Sequence, residues 1–106
     1  MTNVLINAPR TAKKGEVIEL KALIMHPMET GFRPGTSGRL IPRNIIERFT
    51  ASWNGAEILR MDFSPAIAAN PFVSFFAVAT ESGKITFRWT GDEGFAVEES
   101  VAIDVA

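Results

Sequence analysis

The chain contains no cysteine, no tyrosine and a single histidine, His26. The absence of cysteine excludes disulfides, thiolate metal ligands and a cysteine nucleophile. One histidine without cysteine leaves a zinc site short of its usual set of about three protein ligands. Long apolar runs are missing as well. No window approaches the ~20 apolar residues of a membrane span. Near the N-terminus the longest apolar run is Val4-Leu5-Ile6, too short for the core of a secretory signal. Neither G-x-G-x-x-G nor G-x-x-x-x-G-K-[ST] occurs, so no phosphate cradle is encoded. No nucleophile-elbow motif supports a Ser-His-Asp triad.

What is present is ordinary in bulk. The 106 residues are 46% hydrophobic and 22% charged, which fits one soluble globular domain over residues 1–106. A chain of this size buries roughly 65% of its unfolded surface and needs no staple. The net charge is −1. Residues 1–48 hold eight Lys/Arg against four Asp/Glu, and residues 49–106 hold three against eight. In a sandwich the halves interleave, so a mosaic surface is expected. Nucleic acid would want more positive charge with interleaved aromatics.

The hydrophobic pattern has period two. Strands are expected over 4–8, 16–26, 45–54, 57–63, 72–80, 84–90 and 95–105. Asn54-Gly55 is a two-residue hairpin signal, because a type I′ turn needs positive φ at both central positions. Seven strands and no helix indicate an Ig-like antiparallel β-sandwich, without the cysteine pair and tyrosine corner of antibody domains. The last strand, with Phe95, Val97, Val101, Ile103 and Val105 on its apolar face, forces Glu99 inward. A bulge is expected there.

Two anomalies stand out. The segment 27–43 has three Pro and three Gly in seventeen residues and no strand pattern. Loops beyond ~12–15 residues are uncommon in compact domains and are often functional. It carries Arg33, Arg39 and Arg43, and arginine is enriched at protein interfaces. The other anomaly is an apolar excess. Leu23 and Met25 fall on the otherwise polar face of their strand. In 72–79 Phe72, Phe76 and Val78 share one face, and Val73, Phe75, Ala77 and Ala79 the other. One sandwich core takes only one face, so either the long loop or a partner covers the other. His26 reads as a strand-end residue capping the loop, or as a base or metal ligand with Glu29 nearby. Asp92-Glu93-Gly94 reads as a solvated turn, since the other ligands of a calcium loop are absent.

The segment His26-Pro27-Met28-Glu29-Thr30-Gly31-Phe32-Arg33, with Gly38, Ile41-Pro42-Arg43-Asn44-Ile45-Ile46 and Phe49, resembles the SoxZ family of the sulfur-oxidising (Sox) multienzyme systems. Trp53-Asn54-Gly55, Ala69-Asn70-Pro71, Phe75, Ala79-Thr80-Glu81-Ser82-Gly83, Phe87-Arg88-Trp89-Thr90 and Gly94-Phe95 extend the resemblance over essentially the whole chain. Some members carry Arg/Lys-Asp where this chain has Pro34-Gly35.

The resemblance implies a non-enzymatic Ig-fold subunit without cofactor, bound as a heterodimer to SoxY. SoxY holds the sulfur substrate on a cysteine of its C-terminal arm. The pair is presented to a c-type cytochrome, a thiosulfohydrolase and a sulfur dehydrogenase. It also implies a periplasmic location, reached without an own signal peptide by export bound to SoxY. This revises the cytoplasmic location expected by default when no targeting segment is visible. The absence of cysteine then marks the subunit that does not carry the sulfur, and a second thiol would compete by exchange. The alternatives are a related carrier subunit of another periplasmic oxidation system and a small Ig-like enzyme using His26. Expected partner contacts are Leu23, Met25, His26, Met28, Glu29, Phe32, Arg33, Arg39, Arg43, Phe72, Phe75 and Phe76.

Overall fold

In the computed structural model, which describes residues 3–106, eight strands form two sheets. The first two residues of the expected domain lie outside the described residues. The strands are β1 (Val4–Asn7), β2 (Thr11–Ala12), β3 (Val17–Ile24), β4 (Ile46–Trp53), β5 (Ala56–Asp62), β6 (Phe72–Val78), β7 (Gly83–Gly91) and β8 (Ala96–Val105). One sheet has the order β1-β3-β6 and the other β2-β8-β7-β4-β5. All pairs are antiparallel except β2 with β8. The result is the expected Ig-like sandwich. Its one unforeseen strand is β2, whose two residues are too few to show a period.

The inner faces follow from alternation. Ile18, Leu20, Ala22 and Ile24 of β3 meet Phe49, Ala51 and Trp53 of β4 and Ile85, Phe87 and Trp89 of β7 in one buried cluster. Phe49 lies 5.1 Å from Trp89 and 6.1 Å from Phe87, centroid to centroid. At the predicted hairpin Asn54 and Gly55 have φ of 50° and 85°. Asn54 also donates from Nδ2 to the Ser82 carbonyl and accepts from the Lys84 N–H, so it clamps the turn into β7.

The bulge expected near Glu99 is not there. The β7–β8 register runs without interruption from Thr90–Ala96 to Gly83–Ile103. Glu99 does lie on the inner side, opposite Phe87, yet it is exposed. The short β2 covers only the far end of β8, and the facing sheet has fewer strands. The middle of β8 therefore overhangs the core, and its carboxylate reaches water without a backbone defect.

The segment 27–44 is an ordered arm, not an irregular loop. Glu29 and Asn44 exchange two backbone hydrogen bonds of 2.8 Å. Further out the Ile41 N–H donates to the Arg33 carbonyl (2.8 Å) and the Gly35 N–H to the Arg39 carbonyl (2.7 Å). Proline and glycine interrupt this narrow hairpin too often for strand periodicity to show. The molecule is 58 Å long and about 20 Å across, with a radius of gyration of 16.1 Å. A compact chain of this length would have about 13 Å. β8, the longest strand, is about 33 Å long.

Candidate functional site: an apolar sheet face and an anchored arm

The outer face of the three-stranded sheet is apolar at both ends. Across one end, register aligns Leu5, Leu23 and Phe72 in a row over all three strands. Across the other it pairs Val17 with Val78. Leu5 is 66% exposed, Phe72 59% and Phe76 68%; Leu23 is half-buried and Met25 exposed. The polar groups between the two ends satisfy one another. Ser74 Oγ donates to Glu19 (2.9 Å), and the Lys21 ammonium lies 3.6 Å from the same carboxylate. The arm does not fold back over this face. Large apolar side chains therefore stay in water, where burial of each would be worth about 1.5–3 kcal/mol. Leu5, Asn7, Lys21, Leu23 and Phe72 line a shallow depression at one end.

The root of the arm is held by buried polar chemistry. His26 is 4% exposed and stacks edge-on against Phe95 at 4.8 Å. Its Nδ1 accepts from the Met28 N–H (3.0 Å), and its backbone N–H donates to Asn70 Oδ1 (2.9 Å). Met28 sits at φ 51°, a left-handed conformation that costs a residue with a Cβ. Burial of its side chain and the His26 bond hold it there. Burial pushes the His26 imidazole below its usual range, against an opposing pull from Asp92. Desolvation penalises the imidazolium, and an acceptor nitrogen must be unprotonated.

Asp92 is more than a solvated turn residue. It begins a 3₁₀ turn, Asp92–Gly94, and its carboxylate accepts from Arg43 (2.8 Å) and from the Ile45 N–H (3.1 Å). Hydrogen bonding to Arg43, then to Ile45, holds the carboxyl below the usual range. Glu29 is likewise lowered by its hydrogen bond to Arg33, a pair four residues apart on the arm. A Cβ on Gly91 would land on the Ile45 carbonyl oxygen, so only glycine fits where this root packs. Beyond it the arm presents Phe32 (78% exposed), Leu40 and Arg39 to solvent.

The expected contact residues divide into three groups. Leu23, Met25, Phe72 and Phe76 share the outer sheet face. Phe32, Arg33 and Arg39 lie on the arm, and Glu29 and Arg43 bind within it or at its root. His26, Met28 and Phe75 are corrections. His26 and Met28 are buried under the arm. Phe75 turns inward against Phe49 and Phe87 at 6.3 and 6.4 Å, because odd positions of β6 face the core. Leu5, Val17 and Leu40 are exposed apolar residues that the expected set omits. Leu5 was visible as the residue between Val4 and Ile6, which turn the other way.

The chain is an Ig-like β-sandwich with an exposed apolar face on its three-stranded sheet. The family described as "Sulphur oxidation protein SoxZ" matches residues 6–102, and the chain belongs to it. No significant match was found among curated protein sequences. Among solved structures, the chain is similar to the superoxide reductase (neelaredoxin) from Ignicoccus hospitalis, at 19% identity and TM-score 0.74 over 97% of this chain and 80% of that one. It is similar to the sulfur carrier protein SoxY from Chlorobium limicola f thiosulfatophilum, at 12% identity and TM-score 0.69 over 97% and 78%. A putative superoxide reductase from Thermotoga maritima gives 19% and 0.72 over 97% and 85%. At these identities the likeness is one of fold. Among the described residues no three His, Cys, Asp or Glu side chains group as a metal site requires.

Proposed function

We propose that this chain is the non-catalytic subunit of a SoxY–SoxZ sulfur carrier, binding SoxY through the outer face of β1, β3 and β6. The observation that carries the reading is that face itself. Phe72 and Leu5 on one side of Glu19, Lys21 and Ser74, and Phe76 and Val17 on the other, are exposed on one sheet, and exposed apolar patches mark interaction sites. Membership of the SoxZ family supports the choice of partner. In this reading SoxY carries the sulfur, the complex acts in the periplasm, and this chain arrives there bound to SoxY. The exposed end of the arm, with Phe32, Arg33, Arg39 and Leu40, docks the cytochrome, thiosulfohydrolase and sulfur dehydrogenase in turn. Aromatic and arginine side chains are the ones enriched at such contacts. Against the enzyme alternative stands the state of His26, whose Nδ1 is already occupied by the Met28 N–H.

The test is calorimetric titration of SoxY with the wild-type chain and with Phe76→Lys. A loss of about a hundredfold in affinity, with thermal stability retained, is expected. Unchanged affinity overturns the assignment of the face. For the arm, Arg33→Ala is expected to keep SoxY affinity and lower thiosulfate-dependent turnover by the reconstituted Sox enzymes. Wild-type turnover would remove the arm from docking.

A further inference from the structure

The open edge of β6 differs from every other sheet edge in the molecule. The backbone bonds that bracket β6 set its pattern. The Ala79 N–H donates to the Glu16 carbonyl and the Ile24 N–H to the Pro71 carbonyl. Both pairs continue the β3–β6 register by one residue at either end. Alternate residues of an antiparallel strand turn their N–H and C=O to opposite sides. Val73, Phe75 and Ala77 therefore bond β3, while Phe72, Ser74, Phe76 and Val78 aim their peptide groups at the open edge. Among the described residues no backbone partner outside the strands meets those four.

The other edges are protected in recognised ways. β1 has four residues and is followed by Pro9, and β2 has two. β5 carries Glu57, Arg60 and Asp62 and has a register irregularity against β4. β6 has seven residues, Phe-Val-Ser-Phe-Phe-Ala-Val, with no charge and no proline. A long uncharged edge of this kind pairs with another strand unless something covers it. The four edge-facing residues also carry Phe72, Phe76 and Val78 of the exposed face, so one added strand would extend the ladder and cover the apolar side chains together.

We propose that SoxY binds by strand addition: an edge strand of its own sandwich pairs with β6, and the three-stranded sheet continues across the heterodimer. This rests on the reading that SoxY is the partner. The choice of occupant rests on membership of the SoxZ family, and the shared fold makes the pairing possible. The Chlorobium SoxY matches this sandwich over 97% of the present chain. A domain of the same architecture brings an edge of the same sheet. Main-chain bonds supply affinity in such augmentation, and side chains on alternate positions supply selectivity.

Ser74→Pro separates this mode from contact through the face alone. It removes one edge donor and leaves the backbone bonds to β3 intact; it also removes the Ser74–Glu19 side-chain bond, which Ser74→Ala removes alone, and proline is tolerated on edge strands. The variant is expected to unfold like the wild type and to bind SoxY at least tenfold more weakly. Hydrogen exchange on the wild-type chain provides the second measurement. The amides of Ser74 and Phe76 exchange fast in the free chain and become protected with SoxY, while Phe75 and Ala77 are protected in both. If Phe76→Lys abolishes binding but Ser74→Pro binds normally and the Ser74 amide stays unprotected, strand addition is wrong and the face reading stands. If neither variant weakens binding, the partner reading fails. Protection of Ser74 and Phe76 without SoxY, together with a dimer by sedimentation, would assign the edge to a second copy of this chain.

Discussion

The two outer faces of the sandwich solve the same problem in opposite ways. On the five-stranded sheet, Arg48 meets Asp62 at 3.0 Å, Arg88 meets Glu98 at 3.4 Å, and Thr86 meets Ser100 at 3.0 Å. Each pair sits opposite or nearly so across adjacent strands, where complementary side chains interact best. That face is finished in water. On the three-stranded sheet only Glu19, Lys21 and Ser74 are mutually satisfied, and large apolar groups lie on both sides of them. An outward phenylalanine gains nothing for the isolated chain. On the function proposed above, one face ends the molecule and the other continues into a partner.

Adjacent residues of β6 offer the largest test of that contrast. Phe75→Ala empties part of the core beside Phe49 and Phe87 and should cost about 3 kcal/mol by urea denaturation. Phe76→Ala, one residue on and facing out, should stay within about 0.5 kcal/mol. It should still weaken SoxY binding measurably. Equal stability losses would show that the outer face is part of the core. A smaller effect concerns pH. The folded pKa of His26 is lowered, so the folded chain resists a proton that the unfolded chain accepts at about 6.5. Its contribution is full above that pH and is lost as pH falls through the folded value. Stability should decline as pH falls from 7 to 5, and His26→Gln should flatten that slope. An unchanged slope would show that His26 does not set it. The smallest effect is expected from Arg88→Ala, where an exposed pair contributes within about 0.5 kcal/mol. SoxY affinity should not move. A loss of binding there would extend the interface to the other sheet.

Much of the fold was legible along the chain. Alternation placed all the long strands, and Asn54-Gly55 placed the tight hairpin. The exposed face was legible as an arithmetic excess, because Phe72 to Ala79 has apolar residues on both sides. The candidate site was legible only in part. His26 and Met28 lie in the same short motif as Phe32 and Arg33, yet two are buried and two exposed. Local spacing does not distinguish them, because the backbone reverses at Met28 and Gly31. The partners of Arg43 and His26 were hidden for a related reason. Asp92 and Asn70 are 49 and 44 residues away, and they meet these side chains only after the sheets assemble.

By itself, then, the sequence determined the long strands, the inward set of those with a single apolar face, the absence of a thiol and the family. These depend on local alternation, turn chemistry and composition, all of which are properties of neighbours along the chain. Tertiary structure decided the rest. It set which apolar surplus stayed uncovered, how an apparently irregular loop became an anchored arm, and why Glu99 reaches water without a bulge. It also left the peptide groups of Ser74 and Phe76 facing an open edge. Those outcomes depend on how many strands each sheet has and which strand is last. Strand order is fixed by contacts between distant segments, and no local pattern records it.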